Sequence, residues 1–183
     1  MCNEFSFTRG LDHLIETFSQ LALSIHWAGG APNLEPRESI RPTDPATIVG
    51  SSPTGPELLQ RRWGFVRERG GPLINFRSEG RQFGSGRCLI PADAFYEFTG
   101  EKAPKSKWRF TVAEGGFFCI AGLVRDDRFT MLTTTPCPDI APYHDRQLVL
   151  LPRSQWAAWL DPSAPQPDLG PLPAGTLAVA QVR

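Results

Sequence analysis

Cys2, Asn75, Glu97 and His144 are the residues whose types suit covalent chemistry on a carbonyl. Once methionine aminopeptidase removes Met1, Cys2 carries a thiol and a free α-amine on adjacent carbons. That 1,2-aminothiol can close a five-membered ring around an aldehyde. The amine, with an ordinary pKa of about 7.7–8.0, is partly neutral at cell pH and attacks first; the thiol then captures the imine. The chemistry calls for an exposed terminal residue in a pocket that supplies proton carriers. Asn75 in "LINFR", Glu97 in "AFYEF", and His144 with Arg146 in "APYHDRQLVLL" are polar groups set in apolar sequence, where an unpaired one is costly. Each alone suits a structural hydrogen-bonding role. With a terminal cysteine they make up an amide, a carboxylate and an imidazole, a set fit for the proton transfers of aldehyde condensation. Glu97, flanked by Phe95, Tyr96 and Phe98, is expected to have a raised pKa.

The elements that must hold these groups read as short and mostly extended. "NEFSF" is strand-like, and Leu11 to Leu23 places Leu11, Leu14, Ile15, Phe18, Leu21 and Ala22 on one helical face. A Pro-rich crossing from Gly29 ends in a short strand, Ala46 to Val49. "LLQRRWGFV" reads as a strand with Trp63 and Phe65 on one side, and "GPLINFRSEG" as a loop leading into a turn or short helix. "RCLIPADAFYEF", "WRFTVAEGGFFCIAGLVRDDRFTMLTTT" and "RQLVLLP" form a meander of β-branched and aromatic segments broken by Glu-Gly-Gly and Asp-Asp. "PRSQWAAWLD" reads as a short helix capped by Ser154, and "TLAVAQVR" as a last strand after a Pro-rich segment, 161–175. The expected architecture is α+β: a β-rich single domain over 1–183, with a curved, barrel-like antiparallel sheet and a few peripheral helices.

Composition agrees. A chain of 183 residues with 40% hydrophobic content, five Trp and twelve Phe can bury a substantial core, and eighteen Pro with seventeen Gly imply many turns. The chain contains no long apolar run and no basic N-terminal region before an apolar one, so a soluble, cytoplasmic protein without membrane association is expected. Cys88, Cys119 and Cys137 read as buried free thiols, and no Cys/His spacing suits a metal, so neither metal nor cofactor is expected. Zero net charge argues against coating duplex DNA by charge alone. From Arg61 to Arg87, however, seven arginines stand against Glu68 and Glu79, and sixteen of the nineteen basic residues are Arg, whose planar fork suits phosphates.

Met1-Cys2, "RPTDPATIV", "RRWGF", "NFRSE", "RCLIPADAFYEF", "AGLV", "TMLTTT" and "PYHDR" together resemble, in order and over roughly residues 1–160, the SOS-response-associated peptidase (SRAP) family of abasic-site processing proteins. The resemblance implies a protein that recognises abasic sites in single-stranded DNA, or at single-to-double-strand junctions, and bonds to them through residue 2. Cys2 matches the cross-linking cysteine, Asn75 the asparagine of "NAR", Glu97 the glutamate of "FYEW" and His144 the histidine of "HDRMP". Arg77 and Arg146 match arginines that hold DNA phosphates, and Trp63 falls at the tryptophan of "WG" near the DNA-binding face, where it would stack on a base or pack in the core. The Gly-Arg pair usual after the cysteine is Asn3-Glu4 here, a reversed charge where DNA is expected. Two other functions fit the residues: a cysteine peptidase using Cys2 with His144 as base, and a non-covalent single-strand binder using the arginine strip. A monomer is expected.

Overall fold

The computed structural model of the protein describes residues 2–27 and 34–183. Met1, and the first part of the Pro-rich crossing, lie outside them. In chain order the elements are β1 (Phe5–Phe7), α1 (Leu11–Ser19), β2 (Arg37–Ile40), β3 (Pro45–Ser52), β4 (Gly55–Trp63), β5 (Asn75–Arg77), β6 (Arg87–Ala92), β7 (Ala94–Thr99), β8 (Ser106–Val112), β9 (Phe118–Arg125), β10 (Arg128–Thr134), β11 (Gln147–Leu148), β12 (Leu150–Leu151), α2 (Trp156–Leu160) and β13 (Leu177–Gln181). The protein is β-rich, in the α+β class, and none of its described helices is long and apolar enough to cross a membrane.

The strands form two sheets. One runs β13-β8-β7-β1-β2; the other runs β11-β10-β4-β3-β6-β9-β12, with β5 beside β10. β10 also pairs with β9, so β10, β4, β3, β6 and β9 close a ring. Most pairings are antiparallel, as expected, but β10 runs parallel to both β4 and β5. The ring needs one point of close approach: a Cβ at Gly122 of β9 would lie 2.3 Å from Ile90 Cδ1 and 2.7 Å from the Thr130 carbonyl. Every residue of β6 is buried, consistent with its apolar run, because α2 covers it and the Trp159 indole donates to the Cys88 carbonyl at 2.8 Å.

Several sequence readings shift. The helix ends at Ser19 rather than Leu23, because Ala22 takes a left-handed φ of 57° and leaves the helical path. The strand expected over Ala46–Val49 extends from Pro45 to Ser52. "NFR" is not a turn but the strand β5, stabilised by parallel pairing with Met131, Leu132 and Thr133. Ser154 does not cap α2; it lies in a 3₁₀ turn, Arg153–Gln155, that leads into the helix, and no side chain caps either. Gly64, at φ 110°, turns the chain out of β4, so Phe65 pairs with Leu73 instead of continuing the strand.

Trp63 is the largest correction. Its ring has no exposed surface, meets Phe5 edge-on at 5.3 Å, stacks on Phe129 at 6.4 Å, and donates from Nε1 to the Ile74 carbonyl at 2.9 Å. A ring so enclosed offers no face to a DNA base. Of its two expected roles it fills the packing one. Trp63→Ala should therefore lower unfolding stability by about 3–5 kcal/mol in a urea titration.

Candidate active site

Cys2 lies just ahead of β1, where the two sheets meet. Three contacts fix its backbone and side chain. Its Sγ–H donates to the Glu4 carbonyl at 3.2 Å, its carbonyl accepts Asn75 Nδ2 at 2.8 Å, and its backbone N–H donates to the Glu97 carboxylate. The sheet topology makes these contacts possible. β1 pairs with β7 through Phe5 and Phe95, and the Tyr96 N–H donates to the Glu4 carbonyl at 3.0 Å, which aligns Glu97 with Cys2. β5 brings Asn75 from the other sheet by its parallel pairing with β10.

Cys2 is buried, 2% exposed, contrary to the exposed terminus that the sequence suggested. Burial, with the Glu97 charge adding to it, pushes the thiol up to about 12, so at neutral pH the sulfur is protonated. A peptidase nucleophile needs the opposite shift, toward thiolate. A thiol that reacts second, after an imine has formed, can remain neutral until then.

Glu97 is 2% exposed, and burial raises its carboxyl to about 7, with the charge of Asp145 raising it further and the Cys2 N–H opposing. A group poised near neutrality can both take and return a proton. Burial lowers His144 below the usual imidazole range, and Asp145 opposes that shift. Two groups approach its Nδ1: Asp145 Oδ1 at 2.8 Å and the Arg146 N–H at 3.0 Å. The lowered pKa favours the neutral ring, whose Nδ1 either accepts from Arg146, with the proton on Nε2, or donates to Asp145, with Nε2 left as an acceptor. Asn75 Oδ1 is buried and has no hydrogen-bond partner, so this amide keeps an acceptor available beside Cys2.

Of the residues expected to act together, Cys2, Asn75 and Glu97 are joined by direct hydrogen bonds. His144 joins them electrostatically through Asp145, which acts on both it and Glu97. Arg77 is exposed at the end of β5 and, two residues from Asn75, shares its face of the strand. Arg146 is only 12% exposed and makes a two-pronged ion pair with Glu79. The arginine strip is divided. Arg62, Arg67, Arg69, Arg77 and Arg81 are exposed, while Arg87 is buried over the Trp159 ring and donates to the Phe83 carbonyl at 2.5 Å.

Sequence reasoning missed Asp145, Glu79 and Thr133 as participants. Asp145 and Glu79 lie inside the "PYHDR" and "NFRSE" stretches, but their pairings depend on the tertiary fold. Glu4, expected to reverse a charge close to where DNA should lie, is 3% exposed and accepts from Lys107 Nζ at 2.7 Å and Ser39 Oγ at 3.0 Å.

The raised Glu97 pKa has a sign that can be checked. Between the ordinary value of 4.5 and about 7 the folded state holds a proton that the unfolded chain has lost, so stability falls as pH rises through this window, and the penalty is complete above it. Glu97→Gln, which keeps an acceptor for the Cys2 N–H, should leave stability near wild type at pH 4.5 and raise it by roughly 2–3 kcal/mol at pH 8.5 in paired denaturant titrations.

Comparisons with known proteins bear on the family and the fold. The sequence profile described as SOS response associated peptidase (SRAP) matches residues 1–183. "Abasic site processing protein YobE" of Bacillus subtilis (strain 168) is 26% identical, across 92% of this chain and 85% of the relative. "Abasic site processing protein YoaM" of the same organism is also 26% identical, across 92% of this chain and 82% of its own. Among solved structures, a Bordetella bronchiseptica protein covers both chains completely with a TM-score of 0.73 and 25% identity. A Bacteroides thetaiotaomicron protein shares the fold, with a TM-score of 0.71 at 16% identity over 100% of this chain and 92% of its own. With a profile that spans its whole length, the chain belongs to the SOS response associated peptidase (SRAP) family.

Proposed function

We propose that this protein processes abasic sites in single-stranded DNA by bonding covalently to them through Cys2, shielding the lesion from strand cleavage. One observation carries the reading: the Cys2 nitrogen, which becomes the α-amine once Met1 is removed, already bonds to a carboxylate with a pKa of about 7. The names of the Bacillus relatives support abasic DNA as the substrate class.

The chemistry follows from the groups present. An abasic deoxyribose is in equilibrium with an open-chain aldehyde at C1′. The neutral ring of His144 assists the opening of the sugar by proton transfer. The Cys2 amine adds to C1′, giving a carbinolamine. Glu97 accepts a proton from the nitrogen and returns one to the departing hydroxyl, so water leaves and an imine forms. Asn75 orients the residue through its bond to the Cys2 carbonyl and offers Oδ1 to a hydroxyl or N–H of the developing adduct. The protonated Cys2 thiol then adds across the C=N bond: sulfur bonds to C1′, and the thiol proton ends on nitrogen. The product is a thiazolidine. Because the ring removes the electrophilic iminium, it suppresses the β-elimination that would break the strand. Arg77, and Arg146 when Glu79 releases it, hold the flanking phosphates.

The test is a single-stranded oligonucleotide carrying one abasic site. Wild-type protein should give a band that survives denaturation, and Cys2→Ala should give none. Intact mass must show the mature chain beginning at Cys2, since a retained Met1 blocks the amine and overturns the mechanism. His144→Ala should slow adduct formation roughly 10–100-fold while retaining binding to the undamaged oligonucleotide.

A further inference from the structure

The arginine expected to grip DNA is not unoccupied. Arg146 presents both prongs of its guanidinium to Glu79: Nη1 to Oε1, and Nη2 to Oε2 at 2.8 Å. Planar two-pronged pairing is also how arginine meets a phosphate, so the carboxylate occupies the atoms that a backbone phosphate would use. The two partners are held unequally. Arg146 Nη2 also donates to Thr133 O at 2.9 Å and Thr133 Oγ1 at 3.1 Å, which fixes the guanidinium against β10. Glu79 carries its other bond within itself, its carboxylate accepting from its own backbone N–H. It lies at the tip of the turn that follows β5, closed by the Arg81 N–H on the Ser78 carbonyl at 3.1 Å, with Gly80 at φ 69°. The base of that turn is tied down, since Ser78 N–H and Oγ both donate to the Thr133 carbonyl, at 2.9 and 3.0 Å. Glu79 is 39% exposed against 12% for Arg146, so its side chain can swing into water without moving β5 or β10. Arg77 bears on the same carboxylate: the bond from Arg146 chiefly, with the charge of Arg77 adding, holds Glu79 below the usual carboxylate range. Two guanidiniums thus converge on one anion beside the segment that carries His144.

We propose that Glu79 is an internal stand-in for a DNA phosphate: it occupies Arg146 in the resting protein and is displaced by the backbone phosphate next to the captured sugar. Glu79 thereby sets how readily DNA binds. This rests on the DNA reading given above. A surface-accessible ion pair costs little to open, so displacement is within reach of a phosphate that restores both hydrogen bonds. The carboxylate prevents Arg146 from adding to non-specific attraction unless a correctly placed phosphate replaces it, which favours strands seated in the site over strands that merely approach it.

The test measures reversible binding of an undamaged fluorescent oligothymidylate in the Cys2→Ala background, where no adduct can form. Glu79→Gln should bind about threefold tighter or more, and log K against log salt should steepen by about 0.7, the counterion-release increment for one further phosphate contact on a single strand. In a double-mutant cycle, Arg146→Ala should cost more in the Glu79→Gln background than with Glu79 present. If Glu79 only props Arg146 in place, Glu79→Gln weakens binding and leaves the slope unchanged or shallower, and the proposal is overturned. Equal costs of Arg146→Ala in the two backgrounds overturn it as well. Should no variant bind the oligothymidylate, the DNA reading itself falls, and this inference with it; binding that is indifferent to Glu79 rejects the inference alone.

Discussion

The site depends on holding a carboxylate out of water at the seam between two sheets. Glu97 belongs to a strand whose other inward residue, Phe95, stacks on Phe110 at 5.0 Å, so its surroundings are those of a core. A charge there is tolerated only with a partner, and the Cys2 backbone supplies one. The docking of β1 between β2 and β7 therefore does more than complete a sheet. It delivers Cys2 to a buried carboxylate that needs a donor, and Asn75 then ties that same residue to the second sheet. The contacts that hold Cys2 in place also join the two sheets.

Charge is handled by internal pairing. Glu4 is matched by Lys107, whose ammonium also lies 4.1 Å from the centroid of the Tyr96 ring, so the negative charge next to Cys2 is balanced inside the fold. Arg87 and Arg146 are likewise committed, one to Trp159 and a carbonyl, the other to Glu79. Counting arginines along the sequence therefore overstates the cationic surface. What remains open is a smaller set that includes Arg77, on the face of β5 that carries Asn75.

What the sequence disclosed follows the range of the interactions involved. Period-two alternation and turn residues identified most strands, because those signals are local. Helix α1 was legible where Leu14 and Phe18 face inward, but the apolar pattern continues through Leu21 and Ala22 after the backbone has left the helix. β5 was invisible: three residues are too few for a periodic signal, and its partner β10 lies more than fifty residues away in the sequence. The sequence leaves Trp63 between stacking on a base and packing in the core, because the carbonyl that satisfies its indole comes from Ile74 across the Gly64 turn. Asn75, Glu97 and His144 were recognisable as polar groups in apolar sequence, and Cys2 by its position next to Met1. The bond that restrains Arg146 was not, since Glu79 is separated from it by 67 positions.

The bridge between Phe65 and Leu73 carries a consequence of its own. The two residues exchange backbone bonds, at 3.1 and 2.9 Å, and close off the intervening peptide at its neck before β5 begins. Whatever is inserted or deleted beyond that neck leaves the register of Asn75 against Met131 untouched. Evolution or an engineer can therefore lengthen this appendage, or graft a reporter onto it, without moving Asn75 from its place beside Cys2.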